Sequence, residues 1–405
     1  MCSMFTPTST RCVCRGAVNG KGRTQQIVRS ANEQLLELSR RIHGHPELGF
    51  QEERAAGWVA EALDGAGFAV EGGICGLPTA FRAKAGSGPL NIAICAEYDA
   101  LPGIGHACGH NVIAAAAVGA GMALAQLADD LGITVTVMGA PAEEVGDAAG
   151  KVLLLERGGF AGVHAAMMVH PMPSDELEPN VIAGAMFEVH YTGKAAHAAA
   201  FPFEGINAAD ALTVAQVAIG LLRQHIRGNE RIHGIITKGG DAPNIVPEAT
   251  AARYLVRAPR LGDLQPLFGR VMRCFEAGAL ATGSTLSVSG GEKPYAEMVH
   301  DPTLTAIFRR NAEALGRRFP ASGAPGTGMP FSTDMGNVSL VIPSIHPSIG
   351  IDSFPAVNHQ AAFAAHCITP AADRAIVDGA IAMAWTAIDA ATDPQARARL
   401  LNPAG

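Results

Sequence analysis

The sequence predicts an α/β protein in which a mostly parallel sheet, flanked by helices, is interrupted by an inserted ferredoxin-like (βαββαβ) unit. Three observations carry that expectation. Short apolar runs alternate with helical patterns through the first half of the chain. Three of those runs end in acidic or imidazole side chains. After about Ala183 the order of elements changes to strand, helix, two strands, helix, strand.

Ile27, Leu35, Leu36, Leu38 and Ile42 recur at near-helical spacing and predict a helix from about Gln25 to His43. A second runs from about Glu52 to Leu63 and stops at Gly65 and Gly67. Asn91–Ala96, Ile133–Ala140 and Ala165–Val169 read as buried strands, with an Ala-rich helix from about Val112 to Leu127 between the first two. The strands lead into Glu97-Tyr98-Asp99, Glu143-Glu144 and His170, at the carboxyl ends where open parallel sheets carry their sites. The inserted unit is expected over 185–294. Its strands are Ala185–Tyr191, Ile232–Thr237, Thr250–Val256 and Thr285–Ser289, and its helices are about Asn207–His225 and Leu264–Leu280. A helix near Thr303–Leu315, a strand and a last helix near Arg374–Ala391 return the chain to the first domain, which then spans 21–184 and 295–400. The Pro/Gly-rich stretch Pro320–Pro330 reads as a loop near the site, and residues 1–20 as a disordered leader.

Composition narrows the function. A chain of 405 residues is long for one core, which favours two domains. Hydrophobic residues make up 48% and charged residues only 17%, which excludes extended disorder. The net charge is −7 and Lys and Arg are scattered, so no basic stripe awaits a nucleic acid. No apolar run reaches membrane-spanning length, and Met1 to Gly16 lacks the apolar region of a signal peptide. Eight cysteines in a chain this long make no disulfide framework, so a reducing cytoplasm is the expected setting; Cys12 and Cys14 read as unordered thiols, with metal binding as the alternative.

The densest polar cluster runs from Glu97 through Asp99, His106, Cys108 and His110 to Asn111. Thiolate and imidazole suit a borderline metal such as zinc, and Asp99 could hold a ligand's second nitrogen. Taken alone, the segment also reads as a polar turn with a buried cysteine. Glu143-Glu144 can divide two roles, one carboxylate on a metal and the other as general base, although an isolated pair of this kind is usually a solvated turn. His170 ends a strand and His359 lies in a loop near the C-terminus; a lone histidine is more often a packing residue. Only the conjunction of these candidates at strand ends and loops points to a metal centre.

The motifs resemble those of the co-catalytic, two-metal metallopeptidase and aminoacylase family. Within it they resemble the amidohydrolase branch of p-aminobenzoyl-glutamate hydrolase, the Xaa-Arg (β-alanyl-lysine type) dipeptidases and the auxin-amide hydrolases. The resemblance runs from about Gln34 to Ala391. It rests on His43-Gly-His-Pro-Glu-Leu-Gly-Phe50, Glu97-Tyr-Asp-Ala-Leu-Pro102, His106-Ala-Cys-Gly-His110, Pro141-Ala-Glu-Glu144, Gly193-Lys-Ala-Ala-His197 and Pro243-Asn-Ile-Val-Pro247. It implies two divalent metal ions, zinc first, with manganese, cobalt or nickel as alternatives. Cys108, His110, Glu144, His170 and His359 are the implied ligands. Glu143 is implied as the general base that works on a metal-activated water, and His197 as the oxyanion donor. Asn244 and Arg257 would grip a substrate carboxylate, an anion that the planar guanidinium fork of Arg matches; without the resemblance, Arg257 reads equally as half of an ion pair on a sheet surface. The inserted unit becomes a lid and dimerisation domain, so a homodimer is expected.

The implied activity is hydrolysis of an amide or peptide bond in a dipeptide or N-acyl (aminobenzoyl) amino acid with a free carboxylate. Two other classes compete. A non-catalytic descendant that binds a metal or an amino-acid conjugate would be expected to have lost Glu143 or a ligand, and neither is lost. Thiol redox chemistry at Cys108 lacks a Cys-x-x-Cys motif.

Overall fold

A computed structural model describes residues 10–320 and 328–402. Its strands are β1 (Ala69–Gly72), β2 (Phe81–Ala85), β3 (Leu90–Ala96), β4 (Ile133–Gly139), β5 (Ala165–Met167), β6 (His170–Met172), β7 (Ala183–Thr192), β8 (Arg231–Lys238), β9 (Ala249–Ala258), β10 (Thr285–Gly290), β11 (Ser344–Ile345) and β12 (Ser348–Gly350). A six-stranded sheet has the order β1-β2-β4-β3-β5-β11. The β4-β3-β5-β11 half is parallel, while β2 pairs antiparallel with β4 and β1 with β2. The parallel centre is as expected, and β3 is buried along its whole length, as a strand covered on both faces must be. The antiparallel edge β1-β2 carries too little apolar pattern to be read from sequence.

The inserted unit folds as a four-stranded antiparallel sheet in the order β10-β7-β9-β8, with helices Ala208–Leu222 and Leu261–Thr282 packed on one face. That is the ferredoxin-like arrangement. It has its own core, in which Phe187, Tyr254 and Phe275 meet at ring separations of 5.1–6.1 Å.

Helix His110–Ala125 is buried on all sides in the larger core, which explains why it is apolar throughout rather than on one stripe. Small residues let its neighbours come close. A Cβ at Gly119 would lie 2.8 Å from Leu35 Cδ1 and 2.9 Å from Ala380 Cβ. Ala380 belongs to helix Pro370–Thr392, which is long and apolar enough by composition to cross a membrane. Its apolar window is 72% buried inside the protein, so it serves as a core helix, and the sequence reading that no run reaches that length is corrected.

At the N-terminus the expected single helix is two, Thr10–Ser30 and Asn32–His43. The first begins inside the stretch expected to be a disordered leader. Its anchor is Lys21, whose Nζ lies 2.7 Å from Asp389 Oδ2 on the core helix, while Trp385 Nε1 donates to Lys21 O. Residues 1–9, the side chains of 10–19 (Cys12 and Cys14 among them) and residues 321–327 of the expected loop lie outside the described part.

Candidate metal centre and substrate cleft

Three of the four parallel strands contribute at their carboxyl ends. β3 leads to Glu97 and Asp99, β4 to Glu143 and Glu144, and β5 to His170. Cys108 and His110 flank Gly109, at the start of the buried helix. Gly109 has φ +81°, and a Cβ there would lie 2.4 Å from Pro171 Cγ, so only glycine closes this turn. His359 arrives on a separate loop with φ +66°, pinned by its backbone N–H to Ala107 O at 2.8 Å.

These side chains converge. Asp99 Oδ1 lies 2.9 Å from His110 Nδ1, which turns Nε2 inward. There it lies 3.5 Å from Glu97 Oε2 and 3.8 Å from both Glu143 Oε2 and Glu144 Oε1. Cys108 Sγ is 3.4 Å from His170 Nε2, and His359 Nε2 is 3.4 Å from Glu144 Oε1. Three donor groups result: Cys108, His110 and His170; Cys108, Glu144 and His359; and Glu97, His110 and Glu143. Within each group the donor atoms lie within 4.8 Å of one another. His110 Nε2 and Glu144 Oε1 are buried and lack a hydrogen-bond partner. Orphan polar atoms are costly in an interior, and a soft-to-borderline divalent cation on this mixed S, N and O donor set would satisfy them. The residues therefore fit a metal centre.

The protonation states agree with that chemistry. Burial drives the His170 imidazole down to about 4, which leaves it neutral and able to donate a lone pair. Burial alone would raise Asp99, but the neighbouring His110 outweighs it and holds the carboxyl below its usual range. The two adjacent glutamates split. Burial, with the charges of Glu97, Glu144 and Asp334, holds Glu143 well above the usual carboxylate range. Glu144 also suffers burial, yet the His359 imidazole 3.4 Å away and the charge of His110 bring it below that range. Environments that separate two carboxyls this way mark an acid–base group beside a permanent anion.

Arg257, on β9 of the inserted unit, reaches the same cleft. It lines a cavity of about 220 Å³ together with Glu143, Glu144, Tyr295, Ser332 and His359. Its Nη1 donates to Ser332 Oγ at 2.7 Å, and burial lowers its pKa. Among the described residues no carboxylate pairs with it. The alternative of a sheet-surface ion pair is therefore not what the fold contains. A wider groove of about 600 Å³ continues from Glu144 past Asp147 and Met186 to Glu188 and Arg253.

His197 and Asn244 lie elsewhere. They share a turn region of the inserted unit, where Ala198 N–H donates to Asn244 O at 3.0 Å and His197 bridges to Ile245. Both are exposed, and neither lines the cavity around Arg257. His197 Nδ1 accepts the backbone N–H groups of Ala199 and Ala200, which leaves Nε2 facing outward.

Three supporting groups escaped the sequence reading. Glu52 Oε1 accepts the Ala142 N–H at 2.7 Å and so fixes the left-handed residue that opens the Glu143-Glu144 turn. Burial and the charge of Asp99 push Glu52 up to about 7. Tyr295 Oη donates to the Glu143 carbonyl and accepts the Gly146 N–H, which clamps the other end of that turn. Lys151 is fully buried between Glu97 and Asp334. A single Glu, Tyr or Lys carries no spacing signal, so only the fold brings them to the site.

A model of Peptidase family M20/M25/M40 matches residues 93–373. Xaa-Arg dipeptidase of Mus musculus is 39% identical over 391 residues, covering 92% of this chain and 89% of that protein. A subunit of p-aminobenzoyl-glutamate hydrolase from Escherichia coli (strain K12) is 34% identical over 280 residues, 64% of this chain and 58% of its own. Among solved structures, a dinuclear metal-binding peptidase of Bacillus subtilis superposes with a TM-score of 0.65 at 24% identity, over 89% of this chain and 98% of that one; this likeness concerns the fold.

Proposed function

The chain belongs to peptidase family M20/M25/M40, and from that premise we propose that it cleaves the amide bond of a dipeptide or N-acyl amino acid whose leaving amino acid keeps a free carboxylate. One observation carries the reading. The Glu143-Glu144 pair, His359 and the unpaired Arg257 line one cavity, and Cys108, His110 and His170 fall in donor groups that share members with that lining.

Cys108, His110, Glu144, His170 and His359 would hold two divalent cations, zinc first, with manganese, cobalt or nickel as alternatives. When bound, they would supply positive charge to polarise the scissile carbonyl and make the attacking water acidic. Glu143 takes a proton from that water as its oxygen bonds to the carbonyl carbon. It then passes the proton to the amine nitrogen as the C–N bond breaks. The environment that lifts its affinity for a proton suits this shuttle. Arg257, steadied by Ser332, binds the carboxylate of the leaving amino acid and so sets the amide over Glu143. The names of the dipeptidase and aminobenzoyl-glutamate relatives fit this substrate class.

Asp99 orients this centre by bonding both His110 Nδ1 and, through Oδ2 at 2.9 Å, the Glu144 N–H. Asp99→Asn should weaken metal binding about 10- to 100-fold in competition with a chelator. Unchanged affinity would remove Asp99 from that role.

His197 and Asn244 act from a second copy of the chain in this reading, which makes the enzyme a homodimer through the inserted unit. The exposure of both residues supports it. So does β8, an edge strand with Ile235 and Ile236 exposed, because an unpaired apolar edge invites a partner. His197→Ala should lower kcat about 100- to 1,000-fold with little change in KM. Mixing it with a Glu143→Gln chain should restore activity, since one hybrid site then has both groups; no recovery after subunit exchange means the site is built within one chain. Cys95, Cys108, Cys274 and Cys367 are free and buried, which suits the cytoplasm we propose as its location.

The test is hydrolysis of a panel of dipeptides and N-acyl amino acids by metal-reconstituted and chelator-stripped protein, followed by mass spectrometry. Cleavage should require the metal and a free carboxylate. A reconstituted protein that cleaves nothing in the panel would overturn the reading.

A further inference from the structure

The motif His43–Phe50 supplies no member of the donor groups, yet its last residues, with Glu52 just beyond, touch both catalytic turns. The Ala100 N–H, next after Asp99, donates to Glu47 O at 2.8 Å. Glu47 is itself fixed, because its carboxylate accepts the Ala55 N–H at 2.9 Å in the first turn of helix Glu53–Asp64. The chain then reverses at Phe50, with φ +63°, where the Gln51 N–H donates to Leu48 O. Past the reversal lies Glu52, fully buried, which spends one oxygen on each side. Oε1 accepts the Ala142 N–H at 2.7 Å, and Oε2 accepts the Thr79 hydroxyl at 3.0 Å. The Thr79 carbonyl in turn accepts the hydroxyl of Tyr98, which stands between Glu97 and Asp99. The segment also lies directly on the Glu143-Glu144 turn. A Cβ at Gly49 would be 2.7 Å from Val145 Cγ1 and 3.1 Å from Ala142 Cα, so the contact leaves no room for a side chain.

The Glu143-Glu144 turn depends on such a hold. Ala142 sits at φ +57°, where a residue other than glycine needs outside support. The N–H groups of residues 142, 144 and 146 are taken by Glu52, Asp99 and Tyr295 in turn. The bond from Glu52 falls just before Glu143, so it sets the direction in which that side chain leaves the strand end. We infer that Glu47–Glu52 is a strap that locks the Asp99 turn and the Glu143-Glu144 turn into one register, with Glu52 as the positioning residue for the general base. Glu52 lines neither the cavity nor the wider groove, and it acts through the backbone of Ala142. The inference rests on the reading of Glu143 as that base.

The test is made on metal-reconstituted enzyme. Glu52→Ala should keep the metal content and KM of the wild type but lose about 100-fold in kcat, the cost of a misplacement of about 1 Å. Two rescues separate positioning from plain stability. Glu52→Gln keeps an oxygen for the Ala142 N–H and should restore most of the rate. Glu52→Ala/Ala142→Gly should regain about 10-fold, since glycine holds a positive φ without the Cβ penalty. The crystal structure of Glu52→Ala needs no substrate. In it Ala142 should leave the left-handed region, and Glu143 Oε2 should move from its place 3.8 Å from His110 Nε2. If Glu52→Ala does not fold, Gly49→Ala, which removes no buried partner, takes its place in both measurements and should shift the turn and lower kcat. Ala142 still at positive φ with Glu143 in place overturns the inference whatever the rate. So does a wild-type kcat on a displaced turn, or a loss in Glu52→Ala that glycine leaves unrepaired. Failure of both variants to fold also counts against it, because the segment is then a folding element rather than a positioning one. A wild type that cleaves nothing in the substrate panel refutes the proposed reaction instead, and the crystal structures still decide the strap.

Discussion

Glu143→Gln should lose about 100- to 10,000-fold in kcat, the usual worth of a general base, while it retains the full metal content of the wild type. The amide matches the carboxylate in shape, and the backbone of this residue is held independently by Tyr295, so the turn should survive the change. Glu144→Gln should behave in the opposite sense. Its Oε1 faces both His110 and His359, and loss of its charge should lower metal occupancy first and activity as a consequence. The pair separates two explanations of one dead phenotype. If Glu143→Gln kept near-normal turnover, the proton shuttle would have to be assigned to another group. If it lost metal like Glu144→Gln, the two neighbours would share one role. Kinetics and metal analysis on the same preparations decide between these outcomes.

The contrast between those neighbours also explains what could be read from the sequence. Strand ends were legible because β3, β4 and β5 are mostly apolar runs, broken only by Asn91, Thr134 and Thr136, and polar residues directly after such runs must emerge at one edge of a parallel sheet. Cys108 and His110 were legible because their spacing around a glycine is local. Which of Glu143 and Glu144 faces which group was not legible from spacing. It depends on the left-handed Ala142, and that conformation is fixed by Glu52 from 90 positions away. The same holds for Lys151. In sequence it begins an apolar helix, where a lysine normally extends to solvent; in the fold it turns inward because Glu97 and Asp334 wait there. Buried charge partners so far apart along the chain leave no periodicity. The inserted unit was legible for the converse reason. Its elements run strand, helix, two strands, helix, strand, and β10-β7-β9-β8 is the order that such a split unit takes.

The free carboxylate of the substrate should matter as much as the metal. Arg257 is half-buried, bonds only a serine hydroxyl among the described residues, and opens into the cavity beside Glu143. A guanidinium so placed is short of an anion. Truncating one partner of a buried charge pair costs about 2–5 kcal/mol, which is roughly 30- to 4,000-fold at about 1.4 kcal/mol per decade. Arg257→Ala should lose activity within that range in kcat/KM on carboxylate substrates and should erase the preference for a carboxylate over its amide. Loss of the preference is the more telling result, because a general disturbance of the cleft would lower both substrates alike. Arg257→Lys should recover little, since a point charge on a flexible stem cannot present two parallel N–H donors to a carboxylate. Ser332→Ala gives a graded control. It removes the 2.7 Å bond that steadies the fork but leaves the charge, so it should weaken the preference without abolishing it. Equal rates of wild-type hydrolysis on a carboxylate substrate and its amide would refute the clamp. The cavity would then have to recognise its substrate through the groove that runs from Glu144 toward Glu188 and Arg253.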